Sequence, residues 1–364
     1  MAVYSLIIAL AAIALYFVFE TDISIGFANT DSPGYYTYFL LGLVPIIPFA
    51  ILFIKSDNRS KFGSDQSTFL LSLTRNAFGI LWIIDGILQI QPGMGSHFIE
   101  YILEPNAAYG GITSIVTEKM IGIWSINPEG IDIFSSLIQI YIGFITIFAS
   151  SKKILALTQI VTILWATMIW VFGEGFGGLF IPGYSILSGF PGSALIYVLA
   201  AAEILLLVTG SDIKHVYKFF VISDAAIIFG ALLLEILPAG SLFNSIPQCF
   251  MPSPFWFLNF ANNIQVLLVR FSFISSLVLT LLLVISLYGI LMDFRPAFLV
   301  AAAISFFSWI FFQGLGMFSA MSTDPNTGLP LVILNLTLFY MKSPSIMSIN
   351  SNTTANKIAA DSVY

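Results

Sequence analysis

Long apolar runs alternate with short polar breaks along almost the whole chain. A helix needs about 20 apolar residues to cross the hydrocarbon core of a bilayer. Ten stretches meet or approach that length: 2–19, 36–54, 68–90, 134–150, 154–173, 193–209, 218–237, 264–291, 296–313 and 329–341. The last is short, and 264–291 is long enough to tilt or protrude. The pattern predicts an all-α integral membrane protein of about ten transmembrane helices. The first stretch, "MAVYSLIIALAAIALYFVF", lacks a basic leading segment and a small-residue cleavage site, so it reads as a retained helix and not as a signal peptide.

Composition agrees with the pattern. Of 364 residues, 58% are hydrophobic and 9% charged, with a mean hydropathy of +0.96. A soluble domain carries about 25% charged residues. The net charge of −6 and the absence of a basic run exclude a nucleic-acid partner. The charges also give an orientation. Lys55, Arg59, Lys61, Lys152, Lys153, Lys214, Lys218, Arg295, Lys342 and Lys357 fall on one side of the apolar stretches, against Lys119 alone in an opposite loop. Arg75 and Arg270 lie within stretches. The other side is acidic, with Glu20, Asp22, Asp31, Glu100, Glu104, Glu118, Glu129, Asp132 and Asp324. The positive-inside rule then places both termini in the cytoplasm of a multi-pass protein of the cell membrane. Two loops on the acidic side, 91–134 and 239–263, are rich in aromatics. Their Trp124 and Trp256 suit a headgroup interface, so both loops are expected along the membrane surface, as plain connections or as docking sites for other subunits.

The second half of the chain echoes the first. "WVFGEGFGGLF" (Trp170 to Phe180) and "WIFFQGLGMF" (Trp309 to Phe318) match Trp170 with Trp309, Glu174 with Gln313, Gly175 with Gly314 and Gly177 with Gly316. Upstream, "LQIQP" ending at Pro92 resembles "LEILP" ending at Pro238. Residues 67–212 and 213–342 therefore read as two four-helix repeats, preceded by a two-helix segment 1–66 and followed by a polar tail 343–364. Four is an even number, so the two repeats point the same way, unlike the inverted repeats of many transporters.

The stretch "RNAFGILWIIDGILQIQPGM" (Arg75 to Met94), an arginine early in the first helix of a four-helix unit that closes on a glycine-rich turn, resembles the DoxX/DoxD-like membrane superfamily. The second unit departs from that pattern, with Val221 at the place of the arginine, and the first two helices have no counterpart. The resemblance implies an archaeal respiratory setting of the quinol oxidase or thiosulfate:quinone oxidoreductase type.

Ionisable groups within a membrane are costly and mark candidate sites. Near the acidic boundary stand Asp85, Gln89, Gln91, Glu174, Glu235, Arg270 and Gln313, from five different helices. They read either as caps of helix ends at the wet interface or as the lining of a pocket. A quinone needs an apolar slot with a few polar groups for its carbonyls, and Glu174 or Asp85 could take protons from a quinol. Arg270 is expected to pair with Glu174, Glu235 or Asp85. Arg75 is expected to find Asp224 or helix-end carbonyls, and Glu203 has no evident partner. His97 and His215 lie on opposite sides and cannot share a haem or copper, and Cys249 stands alone, so no metal centre is expected. No P-loop, nucleophile-elbow or dinucleotide fingerprint is present. The chain thus lacks an independent catalytic centre. It is expected to be a non-haem subunit of a respiratory complex, among other membrane subunits in the lipid bilayer, shaping a quinone site. The alternatives are a small-molecule or ion transporter and a scaffold with no ligand.

Overall fold

The computed structural model describes residues 40–41, 66–91, 93–181, 183–236, 255–316 and 322–342. The expected spans 2–19 and nearly all of 36–54 lie outside the described residues, as do Pro92, Pro238, Cys249, the tail 343–364 and the side chain of Trp256. Every regular element among the described residues is helical. In order these are α1 (Gln66–Gln89), α2 (Met94–Phe98), a π-helical turn (Ile99–Leu103), α3 (Glu104–Ala107), α4 (Gly111–Trp124), α5 (Pro128–Phe148), α6 (Lys152–Met168) running into a second π turn (Ile169–Gly173), α7 (Ser193–Val208), α8 (Ile213–Ile236), α9 (Phe255–Arg270), α10 (Ser272–Leu291), α11 (Pro296–Phe311) and α12 (Gly328–Met341). Among the described residues, five segments are long and apolar enough to cross a membrane: 68–89, 128–148, 152–173, 213–236 and 272–291. The helices α7, α11 and α12 are equally apolar but shorter. The chain is an all-α, multi-pass membrane protein by these criteria.

The helices form two packed groups. In one, α1 lies along α5, α6 along α7, and α7 returns to α1. In the other, α8 packs on α10, α10 on α11, α11 on α12, and α12 returns to α8. The groups meet where α7 touches α8 and α12, and one apolar cluster from Leu70 to Met341 runs through both. With lipid as solvent there is no hydrophobic drive between helices, and close packing must hold them. The α1–α5 contact shows how. Gly79 and Gly86 on α1 face Gly143 and Ser136 on α5, the Ser136 hydroxyl donates to the Gly86 carbonyl, and a β-carbon on Gly143 would overlap the Gly79 carbonyl. Gly143→Ala should therefore cost about 1–3 kcal/mol, the usual penalty of overpacking. A thermal shift in mild detergent measures it, and an unchanged midpoint would mean the helices can part freely.

Two expectations fail locally. The stretch 264–291 is not one helix. It breaks at Phe271 (φ −112°, ψ 38°), between α9 and α10. Trp124 is not an interfacial anchor. It is 6% exposed and stacks on Phe98 with ring centroids 4.1 Å apart. Within the expected loop 91–134, residues 94–124 fold back as α2–α4 over the end of the first group while 128–134 open α5, and burying these rings there outweighs leaving them at a headgroup layer.

Candidate functional site

The glycine-rich turns after α6 and α11 share one construction. Gly175, Phe176 and Gly177 all have positive φ (55°, 65°, 59°), as do Gly314, Leu315 and Gly316 (58°, 60°, 52°). Phe176 N–H donates to the Trp170 carbonyl at 2.8 Å, and Leu315 N–H to that of Trp309 at 2.9 Å. The Trp170 indole donates to the Pro191 carbonyl and the Trp309 indole to the Pro325 carbonyl, both at 2.8 Å. At Gly177 only glycine fits, since a β-carbon would overlap the Pro191 carbonyl. The turns aim the matched side chains at the next helix. Glu174 accepts from the Ser193 hydroxyl (2.7 Å) and the Ala194 N–H (3.1 Å) at the start of α7, while Gln313 accepts from the Gly328 N–H (2.9 Å) at the start of α12. Each satisfies donors that a helix N-terminus leaves unpaired.

Beside the first turn lies a cavity of about 550 Å³, within the 300–1,000 Å³ typical of small-molecule sites. Its walls come from α1, α5, α6 and α7, and its roof from α2–α4, tied down by the Asn106 amide on the Gly173 carbonyl at 2.9 Å. The loop before α12 closes one flank with Asp324. Trp82, Phe98, Trp124, Trp165, Tyr184 and Tyr197 give it an aromatic lining. Asp85, Glu174 and Asp324 contribute carboxyl groups, and among the described residues no lysine, arginine or histidine lines it. Five of its polar groups are buried with no hydrogen-bond partner: Asp85 Oδ1, Gln139 Oε1, the Tyr197 hydroxyl, Trp124 Nε1 and Trp165 Nε1. Buried polar atoms are nearly always paired, so two acceptors and three donors left open in one cavity point to something that enters it. Asp85 and Tyr197 lie close enough to interact electrostatically without forming a hydrogen bond of normal geometry.

Comparison with protein-family models, curated proteins and solved structures finds no match to this chain. The site therefore stands on its own geometry.

The expected site residues separate into groups. Asp85, Gln89 and Glu174 line the cavity, and the Gln89 amide donates to buried Asp132 at 2.5 Å. Gln91 and Gln313 are buried outside it and join the two helix groups. Gln91 donates to the Ser322 carbonyl (2.7 Å), and the Gln313 amide donates to the Ser308 hydroxyl (2.8 Å) and reaches the Ile186 and Leu187 carbonyls (3.4 Å each). Glu235 is buried on α8 beside Ser185, away from the cavity. Arg270 is exposed at the end of α9, with its guanidinium 5.8 Å from the Phe271 ring. The expected ion pair with Glu174, Glu235 or Asp85 is absent among the described residues. The break at Phe271 turns Arg270 away from the acids, and a helix C-terminus tolerates a cation. Arg75 takes the carbonyl alternative, donating to Thr146 (2.8 Å), Ile147 (3.1 Å) and Ala149 (2.8 Å) at the end of α5. Asp224 pairs instead with the Asn335 amide at 3.4 Å. Glu203 has a partner after all, since the Thr74 hydroxyl donates to it at 3.0 Å.

Sequence reasoning missed Asp324, Gln139 and Tyr197 as site residues. Gln139 interrupts an apolar run and carried a legible signal, while Tyr197 is an ordinary aromatic in an apolar helix and carried none. Asp324 opens an Asx turn, accepting the Asn326 N–H at 2.6 Å, a turn signature that does not reveal its proximity to Glu174. In the turns outside the spans, burial first and the Asp324 charge second push the Glu174 carboxyl up to about 7, against the hydrogen bonds from Ser193 and Ala194. Burial likewise raises Asp324 above the ordinary carboxyl range, opposed by the Asn326 N–H. A carboxyl that titrates near neutrality in a cleft is suited to exchanging protons.

Proposed function

We propose that the chain is a ten-helix, non-haem subunit of a respiratory electron-transfer complex, of the quinol oxidase or thiosulfate:quinone oxidoreductase type. Its cavity would hold a quinol head group at the outer face of the cell membrane. The observation that carries the reading is the set of open donors and acceptors beside carboxyl groups within aromatic walls. The matched turns, caps and indole bonds support a duplicated four-helix unit. The lysines beyond α5, α7 and α12 support a cytoplasmic assignment for the opposite end and for both termini.

Oxidation of a quinol releases two protons and two electrons. In this reading Tyr197 and Trp124 donate hydrogen bonds to the head-group oxygens, and Asp85 and Gln139 accept from its hydroxyls. Asp85 and Glu174 take the protons and pass them outward by way of Asp324. The two electrons would leave one at a time to a haem or copper centre that a partner subunit would have to supply. A site at helix ends, not at the midplane, counts against the transporter alternative.

Purification in mild detergent tests the assignment. Associated chains with haem or copper absorbance, together with quenching of tryptophan fluorescence by a decyl-tailed quinone, are expected. A chain that purifies alone and is not quenched would overturn it. Within the site, Asp85→Asn should weaken quinol binding about 10- to 100-fold, the equivalent of a hydrogen bond to a charged group of about 1.5–3 kcal/mol. A fluorescence titration reads this directly, and unchanged affinity would remove Asp85 from the head-group site.

A further inference from the structure

The walls of the cavity are unequal. Helices α5 and α6 follow one another through a turn of three residues, 149–151. Near that turn the Gln159 amide donates to the Thr146 hydroxyl at 3.0 Å and pins them together. Taken over their whole lengths they touch only sparsely, whereas α1–α5 and α6–α7 pack extensively. The facing side chains, Ser135 and Gln139 on α5 and Trp165 and Met168 on α6, line the cavity between the diverging helices. An edge-to-face pair of Phe134 and Trp165, with ring centroids 5.8 Å apart, spans the gap. Phe134 lines the cavity and is also 58% exposed on the outer surface of the bundle, so the gap connects the two. The surface around it is apolar, with Leu157 and Leu164 exposed on α6, as expected of a face turned to lipid. The matching helices of the other group, α10 and α11, pack more closely.

We propose that the gap between α5 and α6 is a lateral portal from the bilayer into the cavity, gated by the Phe134–Trp165 pair. A membrane-dissolved amphiphile would pass its polar head between the two rings and leave its tail in the leaflet. The identity of that amphiphile as a quinol rests on the function proposed above, while the portal rests on the helix geometry. Of the cavity's open hydrogen-bonding groups, the Trp165 indole stands at the gate itself, that of Gln139 sits on α5, and those of Asp85, Tyr197 and Trp124 belong to the other walls. The apolar flank lies outward, so the order of polarity along the route matches a head-first entry.

The test uses the full chain in phosphatidylcholine vesicles. Phe134→Cys in a Cys249→Ser background presents one thiol at the gate, which a bulky aromatic methanethiosulfonate modifies and dithiothreitol restores. Two probes follow tryptophan fluorescence: a decyl-tailed quinone dissolved in the membrane, and phosphatidylcholine brominated along its acyl chains. The adduct is expected to slow quenching by the quinone roughly tenfold or more and to reduce quenching by the brominated lipid, with both effects reversed by dithiothreitol. Because the same molecules are compared before and after reduction, a folding defect cannot imitate the result. Quinone quenching at an unchanged rate overturns the portal, whatever the lipid does. If the quinone does not quench even the reduced protein, the brominated lipid decides alone. Quenching sensitive to the adduct then keeps the portal and discards the quinol, and insensitive quenching discards both.

Discussion

Replacing Glu174 with glutamine is expected to leave the chain folded and assembled while cutting quinol turnover by a factor of about 10² to 10⁴, the usual scale of general-base catalysis. The fold should tolerate the change because Gln313, at the matched turn, already performs the same capping with an amide, accepting the Gly328 N–H at 2.9 Å. Glutamine at 174 can still accept from Ala194, but an amide cannot take up a proton near neutral pH. The pH profile separates catalysis from capping. A proton acceptor works in its ionised form, and burial together with Asp324 pushes Glu174 up to about 7. Turnover of the wild-type complex should therefore rise as pH increases through about 7, and this limb should vanish in Glu174→Gln. Wild-type rates with an unchanged profile would make Glu174 a cap and nothing more.

Arg75→Leu should be the most destabilising single change in the first helix group, costing on the order of 4 kcal/mol. The guanidinium holds the Thr146, Ile147 and Ala149 carbonyls at the end of α5, and the last carbonyls of a helix have no intrahelical donors. With apolar helices on either side, no water is at hand to replace it. Lysine should recover little, because a point charge cannot reproduce the planar fork. Arg270→Leu is the control and should stay within about 0.5 kcal/mol, since that side chain is exposed with no ion pair among the described residues. Unfolding of the purified variants in mixed micelles measures both, and equal midpoints for Arg75→Leu and wild type would refute the account.

The helical, membrane-spanning character was legible because apolar runs and their breaks are local properties. The matched turns were legible for a similar reason: Trp170, Gly175 and Gly177 each have a job that requires that residue type, and the cap at 174 needs a side-chain oxygen at that length, so the spacing reappears around Trp309 with Gln313 in place of the acid. The break at Phe271 was hidden, since apolar residues continue on both sides of it and neither proline nor glycine marks the place. Side-chain partners across the bundle were the least readable. Depth alone suggested Arg75 with Asp224, but rotation about each helix axis decides which face meets which, and Arg75 turns to α5 while Asp224 turns to α12. The cavity was half visible. Asp85, Gln89 and Glu174 announced themselves as polar groups in apolar surroundings, whereas Glu235, Gln313 and Arg270 gave the same signal and lie elsewhere. Trp124 gave an interfacial signal and lies in the roof, because no feature of the loop sequence told that it would fold back.

The two helix groups are also joined in a way that bears on how the fold responds to pH. The Ser308 hydroxyl donates to the Ile186 and Leu187 carbonyls, the Thr327 hydroxyl to the Gly189 carbonyl, and the amides of Gln91 and Gln313 reach across to backbone oxygens of the opposite group. None of these donors or acceptors gains or loses a proton in any pH range a cell encounters. A fall in pH that titrates Glu174 and Asp324 would leave these joints untouched, so this part of the frame that aligns the two groups does not titrate with the carboxyl groups of the cavity.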